Sequence, residues 1–125
     1  EHLAALRGHF RVLLIHHPPL PQSLDLLRAL RDRGPLLQVL RRVGCELVLH
    51  GHEHRDLRGE VAGRDGPVPI IGVGSGTYNH PDPARRARYN IYEITDRRLA
   101  RVEQRIFDPD LGEFRTAADS TAAAA

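Results

Sequence analysis

Apolar and polar positions divide the 125-residue chain into two parts of different period. In the first part, short apolar runs alternate with helically spaced ones. Residues 1–9 read as the end of a helix, with Leu3 and Leu6 apolar and Gly8 as its stop. The run Phe-Arg-Val-Leu-Leu-Ile at 10–15 predicts a strand covered on both faces, as in a parallel sheet. His16-His17-Pro18-Pro19 ends that strand, because proline cannot continue a ladder. Ser23 then caps a predicted helix over 24–33, with Leu24, Leu27 and Leu30 at helical spacing and Gly34 closing it. Pro35 opens a second helix over 36–43, and Gly44 follows its end. Residues 46–49 predict a second strand, continued directly by His50-Gly51-His52-Glu53-His54.

The second part alternates with a period of two. Segments 57–62 and 68–73 predict a hairpin turning at Gly63-Arg64-Asp65-Gly66. A glycine-rich loop covers 72–79, and strands over 88–95 and 99–107 turn at 96–98. The expected fold class is therefore α/β: strand, helix, helix, strand, then mostly antiparallel strands. One domain is expected over 1–116, followed by a disordered, alanine-rich tail over 117–125.

Composition narrows the function classes. Eighteen arginines, with no lysine, face 16 acids, and the two signs are interspersed for a net charge of +2. That distribution offers no basic field for nucleic acid. No run approaches the roughly 18 apolar residues of a membrane span, and no signal-peptide pattern opens the chain. The single Cys45 excludes a disulfide framework and reads as core packing. It fits a reducing compartment, so a cytoplasmic location is expected. Ser75 lacks the Gly-x-Ser-x-Gly context of a serine hydrolase, and the glycine-rich loop lacks the Lys-Ser/Thr of a phosphate-binding loop.

Histidine is the unusual residue. Of eight, five lie at 16, 17, 50, 52 and 54, just past the two predicted strands. A parallel crossover puts the carboxyl ends of both strands on one sheet edge, where open α/β sheets bind ligands. Strands about 4.8 Å apart allow His16, His52 and His54 to converge. The two-residue spacing of His52 and His54 lets both point the same way or straddle two ions, with Gly51 permitting a tight turn. Neutral imidazoles suit Zn, Fe, Mn or Co. His50 reads as a hydrogen-bonded strand-end residue, and Glu53 and Asp56 read as solvated loop charges.

Two segments carry a resemblance. Val-Leu-Leu-Ile-His16-His17-Pro18-Pro19 and Leu-Val-Leu-His50-Gly51-His52-Glu53-His54 resemble, in order, the His-x-Pro and Gly-His-x-His signatures of calcineurin-like metallophosphoesterases. Gly-Val-Gly-Ser-Gly and Arg-Tyr-Asn-Ile-Tyr-Glu-Ile look like the tail of members similar to cyclic-nucleotide and glycerophosphodiester phosphodiesterases. The resemblance covers about residues 10–107. It implies the carboxy-terminal half of a four-layer α/β/β/α sandwich and a binuclear centre of Mn, Fe, Zn or Co. By position it implies that His16 and His52 bind one ion and His54 the other. His17 falls at the variable position, as a substrate contact or a hydrogen-bond partner of the ligands. The implied reaction is hydrolysis of a phosphodiester or phosphomonoester by a hydroxide held between two metals.

The family's Asp-x-His, Gly-Asp-x-x-Asp and Gly-Asn-His motifs are not in this sequence. Two ions about 3.5–4 Å apart repel and need a bridging anion, and imidazoles supply none. The chain also contains no methionine. The expectation is therefore a fragment, inactive by itself and without a catalytic residue of its own, whose partners are an upstream half of the domain and a small phosphoester substrate. The alternatives are a single-metal hydrolase using three histidines, or a phosphoesterase-fold interaction module without catalysis.

Overall fold

The structure is a computed structural model in which residues 2–20 and 30–117 are described. Most of the helix predicted over 24–33, and the tail from residue 118, lie outside the described residues.

A short helix α1 (His2–Ala5) leads to strand β1 (Val12–Ile15), helix α2 (Arg33–Val43) and strand β2 (Leu47–His50). Strands β3 (Leu57–Ala62) and β4 (Pro67–Gly72) follow as a hairpin. A single 3-10 turn precedes strands β5 (Arg88–Thr95), β6 (Arg98–Asp108) and β7 (Glu113–Thr116). The first four strands form a mixed sheet of order β1-β2-β4-β3, in which β1, β2 and β4 run parallel and β3 antiparallel to β4. The last three form an antiparallel sheet of order β5-β6-β7. The fold is thus mixed α/β.

Side-chain alternation along β2 and β4 builds two cores. On one face Val48, Val68 and Ile70 join Leu40 and Cys45, with Leu36 and Leu37 of α2 and Leu3 of α1 against them. On the other face Leu47 and Ile71 meet Val102 of β6, with Leu49, Tyr92 and Leu99 packed around them. The first sheet is therefore sandwiched between the helices and the second sheet. Cys45 lies in the helix-side core, as expected of a small apolar side chain.

Two expectations need correction. Strand β1 is not covered on both faces: Val12 is 43% and Leu14 72% exposed. It is the edge of its sheet, with β2 on one side and, among the described residues, no strand on the other. Nor does Gly34 end a helix. It lies with Pro35 in the first turn of α2, where a proline's missing N–H has no intrahelical partner to lose. Gly44 does cap that helix, at φ 71°, with its N–H donating to the Leu40 carbonyl at 2.8 Å. At the β5–β6 turn Asp96 and Arg97 both take positive φ, the primed geometry that matches strand twist.

An apolar parallel edge invites pairing between chains. Leu14→Lys should therefore lower self-association in sedimentation velocity and change stability by less than about 0.5 kcal/mol. A parent chain that sediments as a monomer at high concentration would count against this.

Candidate metal centre

The parallel register carries β1 and β2 to a common end. Ile15 pairs with His50, and the Gly51 N–H donates to the His16 carbonyl at 3.2 Å. His16 and His52 thus leave adjacent strand ends side by side. Their rings share a hydrogen bond of 3.1 Å between His16 Nε2 and His52 Nδ1. His17 joins them, its ring centroid 4.4 Å from that of His52 and 4.9 Å from that of His16. One ring nitrogen from each of His16, His17 and His52 lies within 4.8 Å of the other two. His54 is not in this group.

The backbone explains why. The i, i+2 alternation that would aim His52 and His54 together holds only for extended chain. Here His52 has φ 70° and His54 φ 52°, both left-handed. The reading of Gly51 as the residue that permits the turn is also corrected. Its φ is not positive, and a Cβ there would meet nothing within 4 Å. The strained conformations fall on the histidines themselves, a pattern associated with functional sites.

Surrounding residues set the environment. His50 is buried, its Nδ1 3.2 Å from the Gly51 carbonyl oxygen. Burial holds its pKa below the usual 6.5, outweighing the Gly51 bond and the charge of Glu53. His17 is likewise held below 6.5, by desolvation first and then by repulsion from His52 and His16. Both rings therefore favour the neutral form. Asp56 is only partly solvated: its Oδ1 is buried with no hydrogen-bond partner, and Oδ2 lies 3.7 Å from Arg58 Nε. His80 accepts a hydrogen bond from the Asp82 N–H and serves its own loop.

The donor set fits a borderline transition metal. Two nitrogens about 2.05 Å from one tetrahedral ion stand roughly 3.3 Å apart, and the His16–His52 pair is at 3.1 Å. The group contains three imidazoles and no carboxylate, so as it stands it suits one ion rather than two.

No family model matches the chain. Over 69 residues, 54% of this chain, it is 36% identical to a Rhodococcus erythropolis protein named "Probable cyclic nucleotide phosphodiesterase". The match spans 22% of that protein's length. Among the described residues, no helix is long and apolar enough to cross a membrane.

Proposed function

We propose that the chain is the carboxy-terminal part of a metallophosphoesterase domain of four-layer α/β/β/α architecture, and that the intact domain hydrolyses a phosphodiester or phosphomonoester. One observation carries the reading: two parallel strand ends bring His16 and His52 within 3.1 Å at the ligand-binding edge of an α/β sheet. The similarity to a probable cyclic nucleotide phosphodiesterase supports it.

In this reading His16 and His52 hold one ion and His54 faces a second. Carboxylates from outside these residues complete the pair, since imidazoles cannot offset two dications. Bound metal would polarise a phosphoryl oxygen and lower the pKa of water. The chain's own contribution is to present nitrogen ligands at adjacent strand ends and to form one wall of the substrate cleft.

The test is hydrolysis of a cyclic nucleotide and of bis-p-nitrophenyl phosphate by the complete gene product, with Mn²⁺ restored after chelation. His52→Ala should reduce turnover by at least about 100-fold, the scale of losing a metal-site interaction. Turnover indifferent to chelation or to His52→Ala would overturn the proposal. The 125-residue chain alone should turn over far below roughly 1 per second. A normal rate from the chain alone, lost in His52→Ala, would instead favour a self-contained three-histidine centre.

A further inference from the structure

We infer that His17 is a metal ligand, completing with His16 and His52 a three-nitrogen site for a single ion. The inference rests on the metal reading above and assigns His17 a different place from a substrate contact. Three observations lead to it. The ring of His17 is turned toward its neighbours: its centroid is nearer to that of His52, at 4.4 Å, than the centroid of His16 is, at 5.1 Å. One nitrogen from each ring lies within 4.8 Å of the others. The largest separation therefore exceeds a tetrahedral edge of about 3.3 Å by no more than roughly 1.5 Å, which leaves χ rotation of the rings to close the site on an ion.

The backbone of His17 is also restrained. It precedes Pro18, which biases it to extended conformations. Pro18 and Pro19 are both buried, and the Pro18 carbonyl accepts a hydrogen bond from the Leu30 N–H at 3.3 Å. The imidazole therefore stands on an anchored segment rather than a free loop. Such preorganisation reduces the entropy lost when a ligand closes on an ion.

Three nitrogens and an open fourth position suit Zn²⁺ or Co²⁺. The test uses Co²⁺ as probe, added to the 125-residue chain and followed by visible absorption and calorimetry. The parent should bind one equivalent. His17→Cys should add a thiolate-to-cobalt charge-transfer band, which appears only when residue 17 enters the coordination sphere; His54→Cys should add none. His17→Ala should weaken Co²⁺ binding at least about 10-fold with an unchanged far-UV spectrum, and it stands as the readout if the cysteine variant fails to fold. A parent that binds Co²⁺ while His17→Ala binds equally well, or a band from His54→Cys alone, overturns the inference and leaves the metal reading intact. A parent that binds no Co²⁺ overturns the three-nitrogen site, whereas the metallophosphoesterase reading is overturned only by the turnover test on the complete gene product.

Discussion

An Arg11→Ala variant should lose about 1.5–3 kcal/mol of folding stability, the scale of charge-assisted hydrogen bonds whose loss leaves their acceptors unpaired. Arg11 is 5% exposed. Its Nε and Nη2 donate to the two carboxylate oxygens of Glu46 at 2.9 and 2.7 Å, a bidentate fork. Nη1 donates to the carbonyls of Leu3 and Val43, each at 3.0 Å. One side chain thus ties α1, the end of α2, and the starts of β1 and β2. Its own backbone N–H also donates to Glu46 Oε2, at 2.6 Å. Alanine would leave a carboxylate and two carbonyls short of donors in a chain whose total stability is on the order of 5–15 kcal/mol. Lysine should not rescue it, because an ammonium cannot reproduce the fork.

The same contact fixes an acid limb. Burial pushes the Glu46 carboxyl up, but its hydrogen bonds and ion pair with Arg11 outweigh this and hold it below the usual 4.5. A carboxyl depressed in the folded state contributes stability that is complete above its unfolded pKa. That contribution is lost as pH falls from about 4.5 through the folded value. Urea melts from pH 7 to 3 should therefore show a steeper acid loss for the parent than for Arg11→Ala. Parallel curves would mean that Glu46 does not titrate against Arg11.

Element order was readable because period is a local property. The switch from helical to alternating spacing near residue 57 appears directly as the β3–β4 hairpin and the β5–β6 pair. Whether a strand is central or at an edge is not local. Phe-Arg-Val-Leu-Leu-Ile is the more apolar run, with five apolar residues of six against three of five in Glu-Leu-Val-Leu-His, yet β2 is covered on both faces and β1 exposes Leu14. Burial depends on which strands lie beside each one, and residue type does not encode that. The four-residue β7 carries too few alternations to stand out from its turn.

The centre divides in the same way. Convergence of His16 and His52 follows from crossover topology, which two apolar runs and an intervening helix imply. The exclusion of His54 does not follow, because it depends on left-handed backbone at His52 and His54. Glycine is the usual signal for such a turn, and here Gly51 points to the wrong residue. The adjacency of His17 to His16 was the available clue to its inclusion.

Gly72→Ala should destabilise the chain by about 1–3 kcal/mol, the cost of overpacking a well-filled site. Gly72 ends β4 opposite His50 in the parallel register. A Cβ built there would stand 2.5 Å from His50 Cε1 and 2.9 Å from Nε2, far inside van der Waals contact. The φ of Gly72 is not positive, so the obstacle is the imidazole and not the backbone. His50 has little room to yield, being buried with its other side held near the Gly51 carbonyl. Relief must come from rotating the ring or from prying β2 from β4, and β2 leads straight into His52. The double variant His50→Ala/Gly72→Ala should therefore be more stable than the two single losses added together, with a coupling of about 1 kcal/mol. Gly72→Ala should also weaken Co²⁺ binding through the displaced β2 end, while the double variant recovers it. Strict additivity in chemical denaturation would show that the two residues do not press on one another and that Gly72 is there for some other reason.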